Sequence, residues 1–280
     1  MNRFAIGNAE AGGDALLIVA GPCVIESAEL CLRVAERMQE LCAARRLPFV
    51  FKASFRKANR SSGRSFTGLP MTEALAALAR VRSEFDVPVL TDVHDESEVA
   101  AAAEVADVLQ IPAFLCRQTA LLVAAAATGR AVNVKKGQFL APGDMRNAAE
   151  KITGAGGTRV LFTERGTTFG YGDLVVDMRG LVIMREIGWP VLFDATHSLQ
   201  RRGAPLEDGS GTETGGDRRF AFPLMRAAVA CGVDGLFFET HPDPARALSD
   251  AATQLPLAQA EAFLDEACRV REAVAGSSRV

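Results

Sequence analysis

The sequence predicts an α/β fold, a (β/α)8 TIM barrel, in which residues 1–280 form a single domain. Eight short runs rich in β-branched and apolar residues are each bounded by turn or polar residues. Segments of helical composition and spacing separate these runs. A chain of 280 residues, of which 49% are apolar, is also long enough to build the large core of one α/β barrel.

The eight predicted strands are distributed along almost the whole chain. They cover residues 16–23, 48–53, 88–93, 108–112, 131–135, 160–163, 191–195 and 235–239. Strands that alternate with helical segments are typical of parallel sheets, because a parallel connection needs a crossover that is usually a helix.

Helices are predicted in the connections between these strands. One helix follows the first strand at 27–46, another follows the second at 71–85, and a third at 119–129 is closed by Gly129. The last helix is expected at 257–274, directly after Pro256. An open doubly wound sheet is the alternative, but no G-x-G-x-x-G motif follows the first strand, and eight evenly spaced units favour the barrel.

Composition excludes several classes of partner. The net charge is −3, and the 31 basic and 34 acidic residues are well mixed, so no general field for nucleic acid or an anionic membrane is expected. Six cysteines show no CxxC or zinc-knuckle spacing, the first residues lack the apolar stretch of a signal peptide, and no apolar run could span a membrane. We therefore expect a reduced, cytoplasmic protein.

The segment 200–218 after the seventh predicted strand has the composition of a linker. Its sequence, QRRGAPLEDGSGTETGGDR, is rich in glycine and charged residues, which cannot build a core. Because loops at a barrel mouth often cover the site, we expect a mobile active-site lid here and not a domain boundary.

Ionisable or polar residues lie at or just after the end of nearly every predicted strand. Barrel enzymes carry their chemistry at the carboxyl ends of the strands, so these positions are the candidate site. The residues are Cys23, Lys52, Asp92, His94, Gln110, Lys135, Lys136, Glu164, Arg165, Asp194, His197, Glu239 and His241. All three histidines of the chain fall at this rim, which chance placement does not readily produce.

Four of the candidate residues have the composition of a metal site. Cys23, His197, Glu239 and Asp250 supply one thiol, one imidazole and two carboxylates. Such a set suits zinc, iron or manganese better than calcium or magnesium, which prefer oxygen ligands alone. Taken singly, Cys23 could be a small buried apolar residue and the acids solvated loop charges. The shared location at the barrel rim favours a catalytic metal.

Several cations share the same rim. Lys52, Lys57, Arg60, Lys135, Lys136 and Arg165 would repel one another unless anions lay among them. The barrel mouth is therefore expected to bind phosphate or carboxylate groups. In the segment KANRSS, the side chains of Asn59, Arg60, Ser61 and Ser62 form a dense set of donors suited to a phosphate or to sugar hydroxyls. Alone, this segment could equally be a solvated basic turn.

The motifs at the rim resemble those of the 3-deoxy-D-manno-octulosonate 8-phosphate synthases. The resemblance extends from about residue 16 to about residue 265 and is carried by GPCVIES, FKASFRKANRSS, TDVHD, LQIPAFLCRQT, NVKKGQFLAP, TERGTTFGY, FDATHS and ETHPDPARALSDAATQLPL. KANRSS discriminates best, because the related synthase that uses erythrose 4-phosphate has a Lys-Pro-Arg-Ser/Thr sequence there. The resemblance implies condensation of phosphoenolpyruvate with D-arabinose 5-phosphate and water, on the pathway to lipopolysaccharide.

The resemblance also implies roles for particular residues. Metal ligands fall on Cys23, His197, Glu239 and Asp250, and a cysteine at the first position is similar to the branch that depends on a divalent transition metal (Zn, Fe, Mn, Co or Cd). Phosphoenolpyruvate contacts fall on Lys52, Lys57, Gln110, Lys135 and Arg165, and pentose-phosphate contacts on Asn59, Arg60 and Ser61. Arg117 resembles an arginine that a neighbouring subunit supplies, which implies a homo-oligomer, expected to be a homotetramer.

The chain departs from this family in three places. Arg56 replaces a usual aspartate, GRSFTG replaces IHSFRG, and the segment 200–218 is several residues longer. These departures concern the lid and the sugar contacts more than the metal or the phosphoenolpyruvate contacts.

Chemistry alone leaves several roles open. The metal could activate water, act as a Lewis acid or serve as a template. Lys57, Asp92, His94, Asp194 and His197 are the candidate catalytic residues, of which Asp92, His94 and Asp194 could orient water, relay a proton or only support their neighbours. The alternative functions are a synthase that accepts erythrose 4-phosphate and a non-catalytic barrel that binds phosphosugars.

Overall fold

A computed structural model of the chain describes residues 1–58, 66–168, 172–205 and 212–275. Its strands are β1 (Phe4–Ile6), β2 (Ala9–Ala11), β3 (Leu17–Gly21), β4 (Phe49–Lys52), β5 (Val89–Asp92), β6 (Val108–Ile111), β7 (Ala131–Lys135), β8 (Val160–Glu164), β9 (Thr167–Thr168), β10 (Leu174–Val175), β11 (Val191–Asp194), β12 (Gln200–Pro205), β13 (Thr212–Gly216), β14 (Gly235–His241) and β15 (Leu255–Pro256). Its α-helices are α1 (Ala28–Ala44), α2 (Met71–Phe85), α3 (Glu96–Val105), α4 (Thr119–Ala127), α5 (Met145–Gly154), α6 (Met178–Glu186), α7 (Ala221–Ala230) and α8 (Ala260–Val274).

Eight parallel strands close into a barrel, as the sequence predicts. The strands β3 to β8 pair in chain order, β8 pairs with β11, and β11 pairs with β14. The last strand returns to the first, with Gly235 opposite Leu17 and Glu239 opposite Gly21. A (β/α)8 TIM barrel is therefore confirmed, and the open sheet is excluded.

Local sequence signals place most of the element ends. All eight predicted strands are present within about two residues of their expected ends, and α2 covers the predicted 71–85. Ser27 caps α1 by accepting a hydrogen bond from the Leu30 amide, and Asp95 caps α3 in the same way through Ser97. Gly129 follows α4 with a φ of 70°, in the left-handed region that favours glycine after a helix.

A short hairpin at the amino terminus closes the opposite end of the barrel. Its strands β1 and β2 pair antiparallel, and Ile6, Ala9 and Ala11 are buried against the inner layer of the barrel. That layer includes Leu17, Leu90 and Val108, which lie at or near the starts of their strands. This hairpin is not among the predicted strands, because strands of three residues are too short to produce a clear alternation of apolar and polar residues.

The segment 200–218 is better ordered at its base than its composition suggests. Its strands β12 and β13 pair antiparallel, with Gln200 opposite Gly216 and Pro205 opposite Thr212. Residues 206–211 lie outside the described part of the chain, and the expected mobility of this segment stays a prediction. Among the described residues, no helix combines the length and the apolar character needed to cross a membrane.

Candidate metal and anion site at the barrel mouth

The side chains at the carboxyl ends of the barrel strands converge on one buried cluster. Cys23 follows β3 by two residues, and Gly21 lets that segment pass close to β4. A Cβ atom at Gly21 would lie 2.0 Å from the Lys52 carbonyl oxygen, so no other residue fits there without movement of the backbone. The close approach brings Cys23 beside Lys52, whose Nζ donates a hydrogen bond to the Cys23 carbonyl at 2.9 Å.

The Cys23 thiol faces the loop that carries Asp250. Its Sγ lies 3.3 Å from Asp250 Oδ2 and 2.8 Å from Ser249 Oγ, and the residue is buried. Burial, together with the Asp250 and Glu239 carboxylates, raises the pKa of the Cys23 thiol well above its usual value. A thiol held in this way needs a nearby cation to become a thiolate.

Asp194 fixes the orientation of the His197 ring. Asp194 Oδ2 lies 2.7 Å from His197 Nδ1, and Asp194 Oδ1 accepts hydrogen bonds from the Thr196 and His197 amides. Although burial disfavours its charge, His197 and Lys135 hold the pKa of Asp194 well below its usual range. An ionised Asp194 keeps the proton on Nδ1 and leaves Nε2 free as a ligand, the arrangement common for histidines that bind metals.

Glu239 lies at the centre of the cluster, near the end of β14. Its Oε1 is 2.5 Å from Lys52 Nζ, 3.6 Å from Lys57 Nζ and 3.5 Å from His197 Nε2. Burial opposes its charge, but His197, Lys52 and Lys57 together lower the pKa of Glu239 to about 2. Within the described residues, the buried Glu239 Oε2 has no hydrogen-bond partner. A buried carboxylate oxygen without a partner is costly unless it binds a further group.

Three of the four predicted ligands form a cluster that could hold a metal ion, and the fourth, His197, lies beside two of them. The ligand atoms of Cys23, Glu239 and Asp250 lie within 4.8 Å of one another, and His197 Nε2 lies 3.6 Å from Asp250 Oδ2. His197 and Lys57 offset the burial of Asp250 and hold its pKa below the usual value. The mixed sulfur, nitrogen and oxygen donors and the unpartnered Glu239 Oε2 are compatible with a divalent transition metal.

Three lysines surround the same centre. Lys52 and Lys135 lie over the Phe237 ring, with Nζ atoms 5.6 and 3.6 Å from its centroid. Lys135 also forms an ion pair with Asp194. Burial lowers the pKa of Lys135 to about 8 against the opposing effect of Asp194, whereas the carboxylates and the thiol around Lys57 outweigh its burial and raise its pKa. Lysines that converge on one barrel mouth are suited to an anionic ligand once a bound cation offsets the carboxylates that lie among them.

His94 lies between two carboxylates beside this cluster. Its Nε2 is 3.0 Å from Asp92 Oδ2, its Nδ1 is 3.3 Å from Glu98 Oε2, and Glu98 Oε1 pairs with Arg56 at 2.6 Å. Burial disfavours the imidazolium, but Asp92 and Glu98 together raise the pKa of His94. Within the described residues, Asp92 Oδ1 is buried without a hydrogen-bond partner. The arrangement joins Arg56, the residue that departs from the family pattern, to the barrel mouth.

The remaining predicted residues occupy different surroundings. Gln110 accepts a hydrogen bond from Asn133 at 3.0 Å inside the barrel, and Arg165 is buried and donates to Gln200 at the base of β12. Lys136 is turned away from the cluster of proposed metal ligands. Its Nζ donates hydrogen bonds to the Gly137 and Leu140 carbonyls and to the Thr167 hydroxyl. The third histidine, His241, accepts from the Asp243 amide and does not join the metal ligands.

Arg117 lies apart from the cluster at the barrel mouth. It is exposed and lines a cavity of about 730 Å³ together with Cys116, Phe139, Asp144 and Lys151, none of which belongs to the site described above. Phe139, which lines this cavity, and Phe114, three residues before Arg117 in the sequence, are large apolar side chains that are 57% and 44% exposed. Asn59, Arg60 and Ser61 lie outside the described residues, so their expected contacts stay predictions.

Two residues of the site have no counterpart in the sequence analysis. Ser249 contacts the Cys23 sulfur, and Glu98 contacts both His94 and Arg56. Glu98 could have been found, because it follows His94 by four residues at the start of a helix. The contact of Ser249 joins residues 226 positions apart and depends on closure of the barrel.

Comparison with known proteins identifies the family of this chain. Residues 3–275 match the DAHP synthetase I family. A protein of Trichlorobacter lovleyi named 2-dehydro-3-deoxyphosphooctonate aldolase is 53% identical over 94% of this chain and 95% of its own. Proteins of the same name are 53% identical in Koribacter versatilis, over 97% of this chain and 96% of theirs, and 54% identical in Acidithiobacillus ferrooxidans, over 88% and 86%.

Proposed function

This chain belongs to the DAHP synthetase I family, and we propose that it condenses phosphoenolpyruvate with D-arabinose 5-phosphate and water. The products are 3-deoxy-D-manno-octulosonate 8-phosphate, a lipopolysaccharide precursor, and inorganic phosphate. Relatives that match nearly the whole chain share a name that refers to this eight-carbon phosphorylated acid. The observation that supports the proposal is the convergence of Cys23, Glu239 and Asp250, with His197 beside them, and of three lysines at one barrel mouth.

The cations would bring two anionic substrates together. As the resemblance implies, Lys52, Lys57, Gln110, Lys135 and Arg165 are assigned to the phosphate and carboxylate of phosphoenolpyruvate. Asn59, Arg60 and Ser61 are assigned to the phosphate of the pentose. Bound at these positions, C3 of phosphoenolpyruvate can attack the aldehyde carbon of the sugar, and water adds at C2 before phosphate leaves. Holding both substrates in contact supplies much of the rate acceleration.

Cys23, His197, Glu239 and Asp250 would hold a divalent transition metal: Zn, Fe, Mn, Co or Cd. When bound, the ion supplies positive charge and an open position that can activate water, polarise the aldehyde oxygen or orient the substrates. Asp194 keeps the His197 proton on Nδ1. Asp92, held by His94, presents its unpartnered Oδ1 as an acceptor for a proton of water or of the sugar.

The proposed function includes a homotetramer. Arg117 is exposed and lines the same cavity as the exposed Phe139, so a second copy packed on this face would bury apolar surface and receive a cation from its neighbour. The paired strands β12 and β13 are proposed to carry a cover for the barrel mouth, since they start three residues after His197.

Phosphate release from phosphoenolpyruvate tests the proposal. We expect release with D-arabinose 5-phosphate and little with erythrose 4-phosphate. Chelation should stop release, and Mn, Fe, Co, Zn or Cd should restore it to differing degrees. Faster release with erythrose 4-phosphate would show that this sugar is the acceptor. Binding of both sugars without phosphate release would indicate a non-catalytic barrel. Full turnover by verified metal-free protein would contradict the metal dependence.

A further inference from the structure

Two of the proposed metal ligands lie outside regular secondary structure. Cys23 follows β3, and Asp250 lies in the loop between β14 and β15. The Asp250 backbone has a φ of 48°, in the left-handed region that residues other than glycine seldom adopt. Neither strand nor helix hydrogen bonds therefore fix the separation of the Cys23 sulfur and the Asp250 carboxylate. Other contacts must do so.

Gln254 connects the two ligand-bearing segments. It is completely buried, its Oε1 accepts a hydrogen bond from the Cys23 amide at 3.3 Å, and its Nε2 donates to the Ser249 carbonyl at 2.8 Å. Its backbone amide donates to the Asp250 carbonyl at 3.1 Å. One residue thus contacts the main chain of Cys23, of Asp250 and of the residue before Asp250.

The barrel holds Gln254 itself in place. The next residue, Leu255, begins β15 and pairs with Thr240 on β14, whose hydroxyl donates to the Leu255 carbonyl at 2.8 Å. Glu239, another of the proposed ligands, directly precedes Thr240. The segment around Gln254 is therefore tied to three of the four ligand positions.

Ser249 completes a closed ring of hydrogen bonds with Gln254 and Cys23. Its Oγ lies 2.8 Å from Cys23 Sγ, and the residue is buried. In this structure the Cys23 thiol donates to the Ser249 hydroxyl oxygen, and a thiolate at the same place would accept from that hydroxyl, so the contact closes the ring in either state. The ring runs from the Cys23 amide to the Gln254 side chain, then to the Ser249 carbonyl, and returns through the Ser249 hydroxyl to the Cys23 sulfur.

We propose that Gln254 is a positioning residue that sets the separation of the Cys23 and Asp250 ligand atoms through this ring. The role rests on the metal site of the proposed function. Residues that orient metal ligands typically change metal affinity about 10- to 100-fold when they are replaced. Gln254 and Ser249 contact the backbone and the sulfur of the ligands and do not themselves bind the metal or the substrates.

The test measures cobalt(II) binding to the full-length protein, by titration and by the absorption band between thiolate and cobalt. Gln254→Met keeps the side-chain volume but removes both amide hydrogen bonds, and we expect affinity to fall about 10- to 100-fold with a weaker band. Ser249→Ala removes only the hydroxyl and should weaken binding less. Gln39→Met is the matched control, because Gln39 also donates to a backbone carbonyl, that of Phe85, away from the site.

Amide hydrogen exchange provides a second readout that needs no metal. In metal-free protein, the Cys23 amide should exchange faster in Gln254→Met than in the wild type, and at the wild-type rate in Ser249→Ala and Gln39→Met. Unchanged exchange or wild-type cobalt(II) affinity in Gln254→Met would overturn the positioning role while leaving the metal site standing. A wild-type protein that binds no cobalt(II) would overturn the metal site itself. Should Gln254→Met fail to fold, wild-type affinity in Ser249→Ala would overturn the ring.

Discussion

At the scale of single residues, the cysteines differ in what surrounds them. Cys23 faces Ser249 and Asp250 at the barrel mouth, whereas Cys31 is buried in the core on α1. Burial raises the pKa of both thiols, to about 12 for Cys31. Among the residues that the structure describes, Cys23 is the cysteine whose sulfur lies close enough to two carboxylates, those of Glu239 and Asp250, to share a cation with them. The neighbours of a buried thiol, and not its burial, distinguish a ligand from a core residue.

Replacement of Cys23 tests the ligand assignment. Cys23→Ala should lower both metal content and turnover, and Cys23→Asn, which copies the metal-independent branch that the resemblance implies, should retain part of the activity. Cys31→Ala is the control and should keep its metal. Because the Cys23 thiol must lose a proton to bind, apparent metal affinity should also rise with pH. Stoichiometric metal and a normal rate in Cys23→Ala would show that the assignment is wrong.

Lys135 and Lys136 are adjacent but face opposite surroundings. Lys135 contacts Asp194, His197 and Phe237. The Lys136 side chain donates hydrogen bonds to backbone carbonyls in the loop at 137–140. Lys135→Ala should lower kcat/KM for phosphoenolpyruvate by about 10- to 150-fold, which corresponds to one lost charge-assisted contact. Lys136→Met should mainly lower the free energy of unfolding. A loss confined to the pentose phosphate in Lys135→Ala would contradict the assignment.

The opposite substrate pattern is expected at Arg60. We predict that Arg60→Ala raises the apparent KM mainly for D-arabinose 5-phosphate, because its guanidinium is assigned to that phosphate. Steady-state kinetics with each substrate varied in turn measure the effect. An increase in KM for phosphoenolpyruvate alone would exchange the two assignments.

The contacts of His94 predict a pH dependence of stability. The pKa of His94 is raised in the folded state, so its contribution to the free energy of unfolding is fully present below about pH 6.5, the pKa of histidine in the unfolded chain. That contribution is lost as the pH rises through the pKa of His94 in the folded state. Glu98→Gln keeps an acceptor for the His94 amide but removes the charge, and should cost about 1.5–3 kcal/mol of unfolding free energy at pH 6. Urea unfolding should show a smaller loss of unfolding free energy in this variant at pH 9 than at pH 6. The exposed pair Arg80–Glu84 provides the control Glu84→Gln, with little effect at either pH.

At the scale of elements, the pair β12 and β13 is fixed at its base. A Cβ at Gly216 would lie 2.2 Å from Thr253 Cγ2, and Arg218 donates to the Ala251 and Ala252 carbonyls in the loop of Asp250. At the same end of the pair, Gln200 on β12 accepts a hydrogen bond from Arg165. These contacts lie outside residues 204–214. The loop that carries Asp250 and the side chain of Arg165 should therefore keep their positions when residues 204–214 are changed.

Shortening 204–214 to a tight turn tests the proposed cover. We expect the fold and metal binding to be retained, because His197 and Asp250 are held by residues outside this segment. Turnover should fall, or phosphate release should exceed sugar formation, since water would reach bound phosphoenolpyruvate. Phosphate and eight-carbon product are counted in the same reaction. Unchanged turnover with one phosphate per product would show that the segment is only a surface insertion.

At the scale of the whole molecule, the proposed tetramer makes the exposed Phe139 part of an interface. An aspartate there would place a charge in a dehydrated contact, so Phe139→Asp should dissociate the assembly. Light scattering should give a mass of about four times 29.7 kDa for the wild type and a lower value for the variant. A wild-type monomer with full activity would exclude a contribution of Arg117 from a neighbouring subunit.

The sequence by itself determined the barrel and most of its rim. Regular alternation of apolar runs and helical segments predicts eight βα units, and the residue after each strand must then face one end of the barrel. For this reason Cys23, His197, Glu239 and Lys135 could be selected before any contact was known. The amino-terminal hairpin escaped prediction because its strands have only three residues each.

Only the tertiary structure decided how these residues act on one another. The proton on His197 Nδ1 depends on the contact with Asp194. The unpartnered oxygen of Glu239 depends on the positions of Lys52 and Lys57. The contacts of Cys23 depend on a loop that lies about 226 residues later in the chain. Sequence patterns are local, with periods of two or 3.6 residues. The distances that set protonation and ligand geometry arise only when the last barrel strand pairs with the first.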